Sequence, residues 1–357
     1  MKLATYKDGS RDGQLVVVSR DLSTAHYATD IANKLQQVLD DWNFISPQLQ
    51  DLYDALNRVS ETPSSVGLAR HAFPFDPLQC MAPLPRAYQW VGSSAYVNHL
   101  AVLRQARGLD LAQNFSTEPL MYQGASDNFS GPCDALPCAS EAQGIDFEAQ
   151  VAVITGDVPL GASPAQALDG IRLVLLANQL NLRHLMATEL STGFGFVQSK
   201  PVAAFTPVAV TLDEFGYSAD SAWNKGRLNL TLQCNWNGRK VGRCEAGPEM
   251  TFHFGQLITH LCKTRQLRAG TLVGSGPVSN QDASRGYSCI AEKRALETIQ
   301  DGQPSTAFMQ FGDTLRIEMK GRDGASVFGA IEQEIVPLEN IATKRVATAR
   351  QAGAGSS

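Results

Sequence analysis

Gly144-Ile145-Asp146-Phe147-Glu148-Ala149-Gln150-Val151-Ala152-Val153-Ile154-Thr155-Gly156 is the stretch whose reading decides the fold. Residues 147–154 alternate with period two, are rich in β-branched side chains and are closed by Thr155-Gly156, so they read as a strand. Side chains two apart on a strand share a face, which points Glu148 and Gln150 the same way. Two polar side chains on one face of an otherwise apolar strand call for a partner or a ligand. Asp146, at the start of the strand, reads as a solvated residue.

Working outward, the surrounding chain is dominated by short β-rich runs with Gly/Pro punctuation, at 171–177, 203–210, 228–234, 271–273, 314–319 and 326–336. Helices are expected over 164–168, 254–264 and 289–297. At the N-terminus two strand-like runs, 3–7 and 14–20, flank the polar turn Asp8-Gly9-Ser10-Arg11-Asp12-Gly13. A helix is expected over 25–42, where Ile31, Leu35, Val38 and Leu39 recur at helical spacing. Pro47 then breaks the pattern, and a second helix is expected over 47–59. The proline-rich segment 63–88 reads as an extended linker across a surface. The small, polar residues 343–357 read as a frayed end. The domain expectation is a small N-terminal domain (1–75), a catalytic domain (76–340) and a flexible tail (341–357).

Composition narrows the class. A hydrophobic fraction of 43% and a charged fraction of 18% over 357 residues are those of a folded globular protein with a sizeable core. Net charge is −5, and no basic stripe interleaved with aromatics occurs, which argues against nucleic acid as a partner. No apolar run approaches the roughly 18 residues of a membrane span. The first eight residues carry charge too early for a signal peptide, so a cytoplasmic location is expected. The seven cysteines are scattered and include no Cys-x-x-Cys, and they read as free thiols in a reducing compartment. By itself this composition gives an α+β class with a large mixed β core.

Three further stretches make the reading more specific. They are Arg86-Ala87-Tyr88-Gln89-Trp90-Val91-Gly92-Ser93-Ser94-Ala95-Tyr96-Val97-Asn98-His99, then Leu175-Leu176-Ala177-Asn178-Gln179-Leu180-Asn181-Leu182-Arg183, and Gly286-Tyr287-Ser288-Cys289-Ile290-Ala291-Glu292-Lys293. Together with the Glu148 strand they resemble, in order, the active-site segments of the fumarylacetoacetate hydrolase family. The resemblance covers the chain from Pro83 to about Pro337. It implies a mixed β-roll catalytic domain preceded by a small α/β N-terminal domain, and a homodimer. Members cleave carbon–carbon bonds in small diketo acids. A divalent cation, usually magnesium or calcium, holds the dicarbonyl unit, and a His–Glu pair activates water.

The resemblance implies that His99 and Glu292 are the acid/base pair, and that Lys200 and Arg183 stabilise the departing carbanion. A carboxylate on one imidazole nitrogen orients the ring and raises its basicity. Tyr122, in Met121-Tyr122-Gln123-Gly124, matches a substrate-contacting tyrosine. Arg107 and Arg104 are weaker substrate-binding candidates. The cation ligands are where this chain departs. The family's Asp seven residues before the His is Gly92 here, its second Glu is Gln150, and the Asp of its Asn-Asp pair is Gln179. Glu148 alone remains of four carboxylates. Hard cations need several anionic oxygens, so no tightly bound metal is expected. The loop Val273-Gly274-Ser275-Gly276-Pro277-Val278-Ser279-Asn280 has Pro277 where the family has Thr, which removes a hydroxyl and a backbone N–H. Lys200 is then expected beside Glu148 or free to meet an anionic ligand.

Three functions follow. The first is a metal-free enzyme acting on a small anionic 1,3-dicarbonyl or β-keto compound through an enolate, with Gln150, Gln179, Glu148 and Tyr122 as substrate contacts. The second is a non-catalytic binding or scaffolding protein. The third is an ordinary magnesium-dependent hydrolase, with Asp146 or Glu189 as a relocated ligand. Survival of His99, Glu292, Arg183 and Lys200 favours the first.

Overall fold

The computed structural model describes residues 1–59, 70–111, 113–216, 218 and 220–339. In chain order the strands begin β1 (Lys2–Tyr6), β2 (Gln14–Val18), β3 (Thr24–Tyr27), β4 (Phe73–Pro74), β5 (Gln89–Ser93), β6 (Met121–Gly124) and β7 (Leu136–Cys138). They continue with β8 (Ile145–Asp146), β9 (Ala149–Thr155), β10 (Ile171–Gln179), β11 (Asn181–Leu182), β12 (Ala203–Phe205), β13 (Ala209–Val210) and β14 (Trp223–Asn224). The remainder are β15 (Arg227–Leu228), β16 (Thr231–Trp236), β17 (Arg239–Glu245), β18 (Thr271–Gly274), β19 (Thr314–Lys320) and β20 (Ser326–Pro337). The helices are α1 (Leu35–Asp40), α2 (Trp42–Val59), α3 (Val97–Gln105), α4 (Pro164–Asp169), α5 (Arg183–Ser191), α6 (Phe254–Leu261) and α7 (Ile290–Asp301).

Strand β9 lies at the heart of the larger sheet, and every one of its residues is buried. It pairs antiparallel with β10, from Ile171↔Thr155 to Asn178↔Ala149, and on its other side with β18. Among the described residues the sheet runs β4-β3-β2-β1-β13-β10-β9-β18-β5-β6, with β12 added on β10. A strand covered on both faces reads as near-continuous apolar sequence, and so β9 does. Its Ala152 and Ile154 pack with Leu173, Leu175 and the apolar sides of α1 and α2. Val151 and Val153 face the opposite way, toward a second sheet of order β17-β16-β19-β20-β7. The result is the expected α+β architecture, a mixed β core with a small N-terminal part.

Several sequence expectations shift. The strand read as 147–154 is broken: β8 ends at Asp146, β9 starts at Ala149, and Glu148 stands in the gap. The backbone amide of Ala149 donates to Ser288 there, and Gln179 donates to the Glu148 carbonyl at 3.0 Å. The helix expected over 25–42 is replaced by β3 and the short α1. Pairing with β2 decides this: Ala25 lies opposite Val18, the Ala28 amide donates to the Leu15 carbonyl at 3.1 Å, and the Leu15 amide donates to the Asn33 carbonyl at 2.9 Å. Pro47 does not break a helix but sits within α2, at the sixth position. The backbone bond its missing N–H would make is forgone. Of the linker, residues 63–69 lie outside the described residues, as do 343–357. The rest of the linker forms β4 and a short 3-10 turn at Pro77–Gln79. The leading strands are not a separate sheet, because β1 pairs with β13 and so extends the sheet that holds β9. All seven cysteines are free. No described helix is long and apolar enough to cross a membrane.

Candidate functional site

His99 is presented by α3 and Glu292 by the first turn of α7, and the two helices pack together. The imidazole Nδ1 meets Glu292 Oε2 at 2.6 Å, with both side chains buried. Glu292 Oε1 accepts from the Ser279 hydroxyl at 2.9 Å. Asn98 in turn donates to Ser279 at 2.8 Å and to the Asn280 carbonyl at 3.0 Å, which fixes the loop beneath the pair. With Nδ1 facing the carboxylate, the other ring nitrogen is left to exchange a proton with a ligand. Glu292 is 2% exposed and so takes no part in an ion pair on the helix surface. Lys293 pairs instead with Glu297 at 3.3 Å, and Arg294 lies over the Phe308 ring.

A second cluster surrounds Glu148. Its Oε2 accepts from Lys200 Nζ at 3.1 Å, from Asn181 at 2.9 Å and from Arg183 at 3.4 Å. Lys200 also donates to Asn181 Oδ1 at 2.6 Å. The ammonium lies 4.7 Å from the centre of the Tyr122 ring and 5.6 Å from that of Phe196. Burial pushes the Lys200 amine down, and Glu148 pulls it back. Burial likewise works to raise the Glu148 carboxyl, but Lys200 and Arg183 outweigh it and hold the group below its usual range. Every partner of Lys200 is an acceptor or a ring face, an environment that favours the ammonium form.

Asp146 is not a solvated residue. It is fully buried, accepts from the amides of Ile290 at 2.7 Å and Ala291 at 3.0 Å, and pairs with Arg183 Nε at 2.8 Å. It therefore satisfies two amide donors at the start of α7, the helix that carries Glu292, and anchors Arg183 to it. Burial pushes its carboxyl upward against the pull of the guanidinium. Three alternating polar residues, Asp146, Glu148 and Gln150, were the sequence signal that it too faces inward.

The departures from the family's cation ligands have each acquired a local use. Gly92 lies directly opposite Tyr122 across the β5–β6 pair, and a Cβ on it would overlap the Tyr122 ring and hydroxyl. Gln150 turns its Oε1 to the amide of Gly276 at 3.0 Å. Gln179 accepts from the Trp90 indole at 2.9 Å and donates to the carbonyls of Val202 at 2.9 Å and Leu180 at 3.0 Å. It is thus fully engaged in the packing, not presented to a substrate as the sequence reading had it. Two buried polar atoms here have no partner among the described residues, Gln150 Nε2 and Tyr122 Oη. Burial raises the Tyr122 phenol well above its ordinary range, so it stays a neutral donor. Tyr122 lies on β6. The loop glycine Gly276 has φ +76°, and a Cβ there would strike the Ser93 carbonyl.

Lys200 closes the segment that follows α5. Glu189 accepts from the amides of Phe196 at 3.0 Å, Gln198 at 2.7 Å and Ser199 at 3.1 Å, and from the Ser199 hydroxyl. These bonds use both of its oxygens, which removes it as a relocated cation ligand. Arg107 is exposed beyond the end of α3 and makes no hydrogen bond to the site among the described residues, and Arg104 bonds the Asp110 carbonyl and lies over Phe115. Sequence reading missed Asn181 and Ser279, and named Glu189 only as a relocated cation ligand. None carries a distinctive spacing, and each is recruited by a partner far along the chain or across a loop.

The chain matches the family model for the C-terminal domain of fumarylacetoacetate (FAA) hydrolase over residues 90–336. Residues 1–86 match the fumarylacetoacetase N-terminal domain 2 model. It is 27% identical over 163 residues to 2,4-didehydro-3-deoxy-L-rhamnonate hydrolase of Sphingomonas sp. (strain SKA58), covering 45% of this chain and 53% of that protein. It is 19% identical over 207 residues to a fumarylacetoacetate hydrolase domain-containing protein 2 homolog of Dictyostelium discoideum, covering 57% and 61%. The chain thus spans between about half and three-fifths of the length of these curated relatives. Among solved structures, maleylpyruvate hydrolase of Sphingobium sp. SYK-6, in complex with manganese(II) and pyruvate, superposes with a TM-score of 0.60 at 14% identity, covering 94% of this chain and 99% of that one. Fumarylacetoacetate hydrolase of Exiguobacterium antarcticum gives 0.60 at 16%, with the same coverage. With both domain models matched in order, and the His99–Glu292 and Glu148 clusters assembled from their segments, the chain belongs to the fumarylacetoacetate hydrolase family.

Proposed function

We propose that this chain is an enzyme that acts on a small anionic 1,3-dicarbonyl or β-keto compound without the hard divalent cation usual in its family. What carries the reading is the fate of the family's oxygen donors. Glu148 is taken by an ammonium and a guanidinium, Gln150 Oε1 by an amide and Gln179 Oε1 by an indole, and Gly92 has no side chain. Magnesium, calcium or manganese needs several free, mainly anionic oxygens, and these residues do not fit one. Lys200 supplies a positive charge within the chain instead. The unpartnered Gln150 Nε2 and Tyr122 Oη favour an oxygen-bearing ligand, since each buried donor left without an acceptor costs about 1–3 kcal/mol.

In this reading His99, oriented by Glu292, moves a proton to or from substrate or water. Gln150, Tyr122 and Lys200 meet the oxygen on which enolate charge develops, and electrostatic stabilisation of that charge supplies most of the acceleration. Carbon–carbon hydrolysis, decarboxylation and tautomerisation all pass through such an enolate. The name of the rhamnonate-hydrolase relative supports a small keto acid as substrate. A homodimer in the cytoplasm belongs to the same proposal. The test is turnover of a panel of acylpyruvates and β-keto acids by EDTA-treated protein. Activity is expected to persist without added magnesium or manganese and to vanish in His99→Ala. Dependence on added magnesium or manganese would sink the metal-free reading, and full activity in His99→Ala would sink the acid/base pair.

A further inference from the structure

Beside the acid/base pair lies a thiol that this chemistry does not use. A nitrogen of His99, the sulfur of Cys289 and a carboxylate oxygen of Glu292 lie within 4.8 Å of one another, and all three residues are buried. We propose that these three residues form a site for a thiophilic divalent cation, zinc by its chemistry, built from residues other than those at the family's hard-cation position. One nitrogen, one sulfur and one carboxylate oxygen are zinc's usual donors, and a hard cation does not select a thiolate. Zinc bonds of about 2.0–2.3 Å place such donors roughly 3.3–3.8 Å apart, so the His99–Glu292 pair, now at 2.6 Å, opens to admit the ion and no donor need shift by more than about 1 Å.

The frame favours it. Cys289 is the N-cap residue of α7 and Glu292 lies in its first turn, three residues on, while His99 faces them from α3. The thiol makes no capping bond, so it has no helix role to surrender. The Glu292 contact already turns Nδ1 toward the carboxylate, and the ion replaces that hydrogen bond while the ring proton moves to the other nitrogen. Burial keeps the free thiol protonated, against the pull of Arg183. The cation therefore displaces one proton from sulfur to solvent as it binds, aided by the positive end of the helix. A cation held there also withdraws His99 and Glu292 from proton transfer, so zinc acts as an inhibitor of the proposed chemistry.

The test needs no substrate, which separates its failure from a failure of the proposed function. Full-length protein stripped with EDTA is titrated with cobalt(II), watching the near-ultraviolet thiolate-to-cobalt charge-transfer band, and dialysed against zinc. One zinc per chain and a clear band are expected, with excess magnesium unable to compete. Cys289→Ser should abolish the band and weaken zinc at least about 100-fold, since even a supporting bond around a metal is worth 10–100-fold. Cys289→Ala repeats the test should the serine variant fold poorly. Cys133→Ser, at a half-buried thiol elsewhere, should keep the band. Absence of the band in the parent, its survival in both Cys289 variants, or zinc held equally by those variants on surface groups overturns the proposal.

Discussion

The ring of Tyr122 stands over the α-carbon of Gly92, in the space that a side chain at position 92 would need. The two residues are directly paired across β5 and β6, so the overlap is fixed by register and not by a loose loop. Restoring the family's carboxylate is therefore not a matter of one residue. Gly92→Asp should destabilise the protein by about 1–3 kcal/mol, the usual cost of overpacking a filled core, and should gain no magnesium affinity. Only with Tyr122→Ala and Gln150→Glu added should magnesium raise the melting temperature. An upward shift with magnesium in the single variant would show that the phenol does not close the position.

The contact between Lys200 and Glu148 gives a second expectation. Removing one partner of a buried ion pair strands the other charge, which ordinarily costs 3–5 kcal/mol. Arg183, 3.4 Å from the same oxygen, softens the loss. Lys200→Met should thus cost about 3 kcal/mol in urea unfolding. Combining it with Glu148→Gln should recover at least half of that, because the stranded charge is gone. Additive losses in the double variant would mean that the ammonium and the carboxylate are not a coupled pair.

How much of this was legible in the sequence depends on where each residue finds its partner. The central strand could be read because β9 is covered on both faces and its apolar run needs no distant information. His99 and Glu292 were reachable only through motif resemblance, since 193 positions separate them. The helix expected over 25–42 was wrong in its first part because its apolar spacing belongs to α1, at Leu35, Val38 and Leu39, while the residues before it pair with the edge that β2 offers. Asp146 was misread because the amides it satisfies belong to α7, 144 positions further on. Gln179 looked like a substrate contact for a similar reason, its partner being an indole on another strand.

Glu189 shows the same dependence on partners outside its own helix and leads to a pH expectation. Its slight burial works to raise the carboxyl, but the Ser199 hydroxyl and the three amides outweigh this and hold it below the usual carboxylate range. A carboxyl whose pKa is depressed by folding stabilises above its unfolded value, and the contribution is lost as pH falls through the folded one. The turn holding Phe196, at φ +69°, against Tyr122 and Lys200 should therefore be intact at neutral pH and loosen only below the ordinary carboxylate range. In Glu189→Ala, amide exchange at Phe196, Gln198 and Ser199 should rise at least about tenfold at pH 7, since each bond to a charged acceptor is worth about 1.5–3 kcal/mol. Exchange in β9 should be unchanged. In the parent protein the same three amides should lose protection together as pH drops below about 4, before the sheet unfolds. Unaltered exchange in Glu189→Ala would mean that the segment is held by its exposed side chains and not by this carboxylate.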